Sequence, residues 1–359
     1  METQGSIIEG RRSQYMQSSA AKWWNYQEAW DRVVCTLCPK ECKLREGQRG
    51  FCYLRLREGK ELRTEGYGTT SGIAVDPIEK KPLNHFLPNT KILSLGNMGC
   101  NLACKFCQNW SISKAKETPV RQLSSMDLVQ LARHYDCQSV AFTYNDPVIW
   151  AEFVMDSSWK LAENGIHPVL VTAGYISKEA RTELFQPIKA INFDLKAFTE
   201  DFYFKLTNSS LKDVLDTLVY TREQTEIWME LTHLVIPGAN DSDKEYLAML
   251  DWIDKYLGKE TVLHLTAFHP DWKMKDVPAT KHSDLIKKYD QAKERGYPWV
   301  YLGNVFDPKR QTTHCSNCKS TIIERNWHKT RISQERFQGT CAKCNTVIPG
   351  YYGSAISAC

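Results

Sequence analysis

Between Lys91 and Leu302, short apolar runs alternate with segments of helical period. The runs are Ile92 to Leu95, Ser139 to Phe142, Pro168 to Val171, Ala190 to Leu195, Glu226 to Val235, Val262 to Phe268 and Trp299 to Leu302. Short apolar runs of this kind fit strands covered on both faces. The intervening segments repeat apolar residues three and four apart. Leu128, Leu131, Ala132 and Tyr135 share one face; so do Leu211, Val214, Leu215 and Leu218, then Leu247, Leu250, Ile253 and Leu257, then Leu285, Ile286, Tyr289 and Ala292. That spacing predicts amphipathic helices. Ser124 with Asp127 three residues on is a capping-box variant, Asn240-Asp241-Ser242 is a helix start, and Gly296 a stop. Strands alternating with helices imply a parallel sheet with right-handed crossovers. Six such units predict an α/β fold: a partial (β/α)6 TIM-like barrel over residues 91–302, short of the eight units of a closed one.

The polar clusters fall just after the runs. A cysteine loop follows the first, Tyr144-Asn145-Asp146-Pro147 the second and Thr172-Ala173-Gly174-Tyr175 the third. Asp194-Leu195-Lys196 ends the fourth, Pro237 to Asp241 follows the fifth, and His269-Pro270-Asp271 the sixth. In α/β barrels the carboxyl ends of the strands make one face, where chemistry is built. Asp194, Lys196 and His269 are therefore candidate catalytic residues.

The flanks read differently. Residues 1–30 are polar and Trp-containing, with room for one helix, and residues 31–90 form a Cys-rich extension. Leu62 to Tyr67 reads as a strand, and the stretch GIAVDPIEKKPLNHFLP as turns leading into the barrel. Residues 312–353 form a zinc-ribbon-like tail. The 359 residues are 42% hydrophobic and 25% charged, with a net charge of +4 and no basic run, which argues against a nucleic-acid partner. No segment has the apolar length of a membrane span, and the amino terminus lacks a signal-peptide core, so the expectation is a cytoplasmic protein.

Thirteen cysteines sharpen the picture. Close C-x2-C pairs in a reducing compartment point to metal, not disulfides. Cys35, Cys38, Cys42 and Cys52, spaced C-x2-C-x3-C-x9-C, suit zinc or a second iron–sulfur cluster. Cys315, Cys318, Cys341 and Cys344 form two C-x2-C knuckles 22 residues apart, the pattern of a zinc ribbon, with His314 as a neighbour. Cys100, Cys104 and Cys107, spaced C-x3-C-x2-C, leave one iron of a cluster without a protein ligand, open to a molecule that can be activated there. Bland roles suit other residues: His233 and His264 as core histidines, His85 as a turn fixer, Cys137 as a buried thiol and Cys359 as a tail residue. Glu152 could face the site or solvent.

The C-x3-C-x2-C loop, with Phe106 before its third cysteine, resembles the radical S-adenosylmethionine (SAM) superfamily. More narrowly, GCNLACKFCQNWSIS, TYNDP, NFDLKAF, VIPGAND, FHPDWKM and YLGN resemble the radical SAM member of the AmmeMemoRadiSam system, related to pyruvate formate-lyase activating enzymes. The resemblance runs from Cys35 to Gly350. It implies a [4Fe–4S] cluster on Cys100, Cys104 and Cys107, with SAM on the fourth iron. Tyr144, Asn145 and Asp146 would contact SAM, Asp146 through the amino group. Lys196 would pair with the SAM carboxylate, Asp194 would orient it or a substrate, Phe106 would reach the adenine, and Thr172 would line the same site. One-electron reduction would give a 5′-deoxyadenosyl radical that abstracts hydrogen from a substrate. The implied partners are a flavodoxin- or ferredoxin-type electron donor and proteins of that system. The chain departs from the pattern at Ala173, where Asn is expected, at Thr266-Ala267, where Ser-Arg is usual, and at Asn97-Met98. These changes bear on the substrate more than on SAM cleavage.

Three functions compete. The first is a radical SAM enzyme acting on a small-molecule or nucleotide-like substrate. The second is an activase that makes a glycyl radical on a partner protein. The third is a zinc-ribbon module binding RNA or protein beside an inactive barrel. The intact cysteines with Asp146 and Lys196 oppose the third, and the modest charge opposes nucleic acid.

Overall fold

A computed structural model describes residues 18–116, 118–327, 329–334 and 337–353, and the backbone of 12–13 and 356–357. Cys359 and the first eleven residues lie outside the described residues.

The strands that carry the argument are, in chain order, β1 (Trp24–Gln27), β2 (Arg32–Cys35), β3 (Lys43–Leu44), β4 (Arg55–Glu58), β5 (Glu61–Thr64), β6 (Gly72–Pro77), β7 (Lys91–Gly96), β8 (Ser139–Phe142), β9 (His167–Thr172), β10 (Ala190–Asp194), β11 (Trp228–Val235), β12 (Val262–Ala267) and β13 (Val300–Gly303). The helices that cover the sheet are α1 (Ser125–His134), α2 (Ala151–Glu163), α3 (Lys178–Leu184), α4 (Leu211–Gln224), α5 (Asp243–Tyr256) and α6 (His282–Glu294). One eight-stranded sheet runs in the order β13-β12-β11-β10-β9-β8-β7-β6. Strands β7 to β13 are all parallel, in registers such as Leu93 with Val140, Leu170 with Ile191 and Leu231 with Leu263. Val140, Leu170, Ile191, Leu231, Leu263 and Leu265 are fully or almost fully buried, which is why their segments read as predominantly apolar runs. The expected α/β architecture is present, and the sheet stays open because β6 and β13 are its edges. The Ser124 cap is reciprocal: its hydroxyl accepts from Asp127 N–H, and the Asp127 carboxylate accepts from Ser124 N–H at 2.7 Å.

Two expectations change. The described part of the segment before residue 31 holds no α-helix. Trp24–Gln27 is a strand paired with β2, followed by one 3-10 turn at Glu28–Trp30. Exposed and half-buried residues alternate along Trp24–Gln27, and that period of two suits a strand. The stretch read as turns begins with β6, which adds an antiparallel edge strand, Asp76 opposite Ile92. Only Asp76 of β6 is buried, and the short apolar run Ile73-Ala74-Val75 is bounded by Gly72 and by Asp76-Pro77, which read as turn residues.

The chain from Pro82 to Phe86 plugs the amino end of the barrel. Glu230 of β11 is fully buried there and accepts from Asn84 N–H and His85 N–H, both at 2.8 Å, from Trp228 Nε1 at 2.9 Å, and pairs with His264 Nε2 at 2.7 Å. The bland readings of His264 and His233 hold: His233 Nδ1 meets the Leu195 carbonyl at 3.0 Å inside the core. His85 does more than fix a turn. Its Nδ1 meets the Pro349 carbonyl at 2.7 Å, tying the plug to the carboxyl-terminal tail.

The tail packs on the outside of the β12–β13 edge. Cys315, Ile322, Ile323 and Cys341 bury against Val262, Trp299 and Tyr301. Its hairpin, β14 (Thr321–Asn326) and β15 (Lys329–Ile332), brings Arg325 to the barrel, where Nη2 donates to the Asn84 carbonyl at 2.6 Å.

Candidate functional site

The cysteine loop leaves the carboxyl end of β7 and is fixed from several directions. Asn97 donates to the carbonyls of Gly66 and Thr69 at 3.2 and 3.1 Å. The Asn145 side chain accepts from Asn97 N–H at 3.0 Å and donates to the Gly99 carbonyl at 2.9 Å. Ala103 N–H and Lys105 N–H donate to the carbonyls of Thr207 and Leu206, and Lys273 N–H donates to the Lys105 carbonyl. Trp110 stacks on Trp272 at 4.8 Å, so the segment after β12 covers the loop. Gly99 has φ +76°, and a Cβ there would lie 2.1 Å from the Cys52 carbonyl oxygen. Only glycine allows so close an approach between the two cysteine segments.

Cys104 is buried, and Cys100 and Cys107 are half-buried. Burial pushes the Cys104 thiol up to about 12, while Lys196 pulls the other way. Asp146 is buried after β8. It accepts from Thr172 Oγ1 and Ala173 N–H at 2.9 Å each and from Val148 N–H at 3.2 Å. Burial holds its carboxyl above the usual carboxylate range, against these donors and Lys196. Burial works against the Lys196 charge, but Asp194, 3.1 Å away, and the Cys104 thiol outweigh it and raise its pKa. Its Nζ lies 5.9 Å from the Phe106 ring centre. The structure thus brings Cys100, Cys104, Phe106, Asp146, Thr172, Asp194 and Lys196 into one neighbourhood. Asn145 is spent on bracing the loop, and the Tyr144 hydroxyl donates to Asp76 at 3.1 Å. His269 is exposed on the rim.

A cavity of about 670 Å³ opens at the seam between the sheet's two edges; it is bordered by Tyr144, two residues before Asp146, and by Val171, next to Thr172, but by none of the clustered side chains themselves. Tyr144 and Asn109 line its upper wall, Asp76 and Lys81 one side, Thr266 and Asn304 the other, with Arg325 and Trp327 contributed by the tail. Lys81 pairs with Asp76 at 2.8 Å. The size is that of an ordinary small-molecule site. Sequence reasoning missed Asp76, Lys81 and Arg325 because they come from an edge strand, a turn and the tail, which only the folded chain brings together. Glu152 faces neither site nor solvent: it makes a bidentate buried pair with Arg55 at 2.7 and 2.8 Å.

The three cysteine groups differ in spacing. Among the described residues, Cys315, Cys318, Cys341 and Cys344 are the only three or more Cys, His, Asp or Glu whose ligand atoms all lie within 4.8 Å of one another. Cys315 and Cys344 sulfurs are 3.5 Å apart, and Cys318 and Cys341 sulfurs 3.7 Å. A tetrahedral ion with metal–sulfur bonds of about 2.3 Å sets sulfurs about 3.8 Å apart. This quartet therefore fits a single ion. The sulfurs of Cys100, Cys104 and Cys107 do not all lie within 4.8 Å of one another.

Residues 97–250 match the model of the radical SAM superfamily. The chain is 40% identical over 304 residues to the uncharacterized protein MJ0808 of Methanocaldococcus jannaschii, covering 84% of this chain and 90% of that one. It is 25% identical over 197 residues to a pyruvate formate-lyase-activating enzyme of Clostridium pasteurianum, covering 50% and 81%. A crystal structure of a radical SAM methyltransferase from Sphaerobacter thermophilus superposes with a TM-score of 0.49 at 17% identity, covering 61% of this chain and 68% of that one. The chain belongs to the radical SAM superfamily and is a radical SAM enzyme. No helix among the described residues is long and apolar enough to cross a membrane.

Proposed function

We propose that Cys100, Cys104 and Cys107 hold a [4Fe–4S] cluster, that SAM binds its fourth iron, and that the enzyme acts on a small, polar substrate held in the seam cavity. The observation that carries this reading is the cavity itself: about 670 Å³, bordered by Thr143, Tyr144 and Val171 from the strand ends that lead to Asp146 and Thr172, with charged walls in Asp76, Lys81 and Arg325. When bound and reduced by one electron, cluster and SAM supply a 5′-deoxyadenosyl radical, which takes a hydrogen atom from the substrate. The chain's own residues do the rest. Asp146, held by three donors, accepts from the SAM amine, and Lys196 pairs with the SAM carboxylate while Asp194 keeps it charged and aimed. Phe106 supplies an apolar wall and Thr172 fixes Asp146. Residues of the tail and plug wall one part of the cavity, and substrate filling the rest would exclude water, which a radical requires. His269 on the exposed rim suits a contact with an incoming partner, such as the flavodoxin- or ferredoxin-type donor. The tail quartet binds zinc, and by holding the hairpin that carries Arg325 it builds part of the substrate wall. The protein works in the cytoplasm, and its resemblance to the AmmeMemoRadiSam enzyme makes that system's proteins its first candidate partners.

A second reading has a specific support. Relatives are named as activating enzymes of pyruvate formate-lyase, so a glycyl segment of a partner protein could enter the seam in place of a small molecule.

The test is anaerobic reconstitution with iron and sulfide, followed by dithionite and SAM. Production of 5′-deoxyadenosine is expected, and deuterium transfer into it from labelled candidate pools identifies the substrate. An intact cluster that yields no 5′-deoxyadenosine would overturn the reading.

A further inference from the structure

Nothing in the chemistry above uses the amino-terminal cysteines. Cys35 ends β2, Cys42 precedes β3, Cys38 lies in the turn between them, and Cys52 follows the turn at Gly50. All four line one internal cavity, walled by Leu37, Phe51 and Ile149. The loops hold the thiols by backbone bonds, not by contacts between sulfurs. Cys35 N–H donates to the Cys42 carbonyl at 3.0 Å, and Phe51 N–H donates to Cys42 Sγ at 3.4 Å. No three of the four sulfurs come within 4.8 Å of one another, in contrast to the tail quartet of the same molecule. A zinc ion needs sulfurs at about 3.8 Å. A cluster spreads its thiolates over four irons around a core that fills the space between them, so wide spacing around a cavity is what it needs.

Charge and polarity agree. Four thiolates on such a core leave net negative charge, and two cations face it. Arg55, 1% exposed, lines the cavity next to Cys35 and Cys52; its Nη2 is paired with Glu152, while its Nε has no hydrogen-bond partner among the described residues. Lys40 lines the same cavity and neighbours Cys38 and Cys42 on one side and Cys100 and Cys104 on the other. The two cysteine groups also share a wall. Asn101, next to Cys100, lines the amino-terminal cavity, and Gly99 presses on the Cys52 carbonyl.

We propose that Cys35, Cys38, Cys42 and Cys52 hold a second [4Fe–4S] cluster, ligated by thiolate at every iron, that relays single electrons to the cluster at Cys100, Cys104 and Cys107. The relay rests on the function proposed above; the second cluster does not. A donor of flavodoxin or ferredoxin type is oxidised by one electron, the amino-terminal cluster is reduced by one, and that electron then passes to the neighbouring cluster. No bond forms or breaks, and no proton has to move. With no open iron, the amino-terminal cluster does not bind SAM.

The test uses the full chain reconstituted without oxygen, in three forms: wild type, the triple variant Cys100→Ala, Cys104→Ala, Cys107→Ala, and the double variant Cys38→Ala, Cys42→Ala. Iron, sulfide and zinc are counted, and the reduced proteins are examined by electron paramagnetic resonance with and without SAM. The triple variant is expected to keep about four irons and one zinc, with a signal that SAM leaves unchanged. The double variant is expected to keep about four irons whose signal shifts with SAM. Its 5′-deoxyadenosine yield with reduced flavodoxin, relative to its yield with dithionite, should fall on the order of tenfold below the wild-type ratio. A triple variant with two zincs and no iron overturns the second cluster, and a wild-type ratio in the double variant overturns the relay. Retained zinc in the tail marks a folded chain; if the double variant misfolds, the triple variant still decides the metal. A triple variant with four irons beside an inactive wild type would keep the cluster and sink the function instead.

Discussion

The chain carries two quartets of cysteine that share a chemistry and differ in build. The tail quartet is nearly symmetric. In each knuckle the first cysteine donates to a carbonyl five residues on, Cys315 to Ser320 and Cys341 to Thr346, both at 2.9 Å. A residue with positive φ closes each turn, Lys319 at 60° and Asn345 at 57°. A hydroxyl stands against one sulfur of each knuckle, Ser320 at 3.1 Å from Cys318 and Thr346 at 3.2 Å from Cys344. Two matching turns face each other and draw four sulfurs into a tetrahedron. The amino-terminal quartet has no such symmetry: strand end, turn, strand start and a separate loop ring a cavity instead. Thiol count alone therefore does not name the metal. The backbone that spaces the sulfurs separates the groups: neither the amino-terminal four nor the three cysteines at the barrel mouth draw three sulfurs within 4.8 Å of one another.

The largest expected effect breaks the comparison from the barrel side. Cys104→Ala should abolish 5′-deoxyadenosine formation and remove about half the iron while zinc stays at one per chain. Cys341→Ala should do the reverse, losing zinc and keeping iron; metal analysis of both variants reads the outcome. If either variant lost both metals, the two regions would not be separate sites.

Next in size is the joint that carries the amino-terminal quartet. Arg55 and Glu152 have side chains 1% and 7% exposed, and Glu152 also accepts from Lys22 N–H at 2.7 Å. Glu152→Ala leaves the guanidinium buried without its partner, at a cost of about 3–5 kcal/mol. Denaturant unfolding followed with tail zinc content should show that loss before any change at the ribbon.

Acid should separate the regions too. Burial brings the imidazoles of His85 and His233 down to about 4, with the Glu230 charge opposing it at His85 and the Leu195 carbonyl opposing it at His233. A histidine lowered in this way favours its neutral form in the folded chain. Its contribution is complete above the ordinary value near 6.5 and is lost as pH falls from there towards 4, up to about 3 kcal/mol each. Glu230, lowered by His264 and His85 in spite of its burial, keeps its contribution down to the ordinary carboxylate value near 4.5 and loses it only below that, at the acid end of this range. Unfolding free energy measured from pH 7 to pH 4 should fall accordingly, and His85→Asn should flatten part of the slope. An unchanged slope would remove the plug from the account.

The smallest effect is at the SAM contacts. Lys196→Met should weaken SAM binding by about 1.5–3 kcal/mol, roughly 10–100-fold, with iron content unchanged. Calorimetric titration of the reconstituted protein checks it, and wild-type affinity would take Lys196 out of the site.

Much of this was readable in the sequence. The central strands declared themselves because both faces are buried, so apolar residues dominate them even where Asn192, Glu230, His233 and His264 intervene. The caps at Ser124 and Ser242 were legible because capping is local. Edge strand β6 was not, since Gly72 and Asp76-Pro77 are turn signals that outweigh the three apolar residues between them. Cys100, Cys104, Asp146 and Lys196 could be picked out at strand ends, because a barrel gathers those ends on one face. The cavity's Asp76, Lys81 and Arg325 could not, because they meet only when tail and plug close the seam. Cysteine spacing in sequence showed which residues act together but left zinc and a second cluster near even at Cys35 to Cys52, zinc slightly ahead. The deciding quantity, sulfur spacing in space, depends on strand pairing and on the Gly99–Cys52 contact.

X-ray absorption at the zinc and iron edges of the anaerobically reconstituted wild-type chain tests the contrast between tight and wide quartets most directly. The account predicts one zinc per chain with four sulfurs at about 2.3 Å, and about eight irons, all in sulfur clusters. Two zincs with about four irons would contradict it.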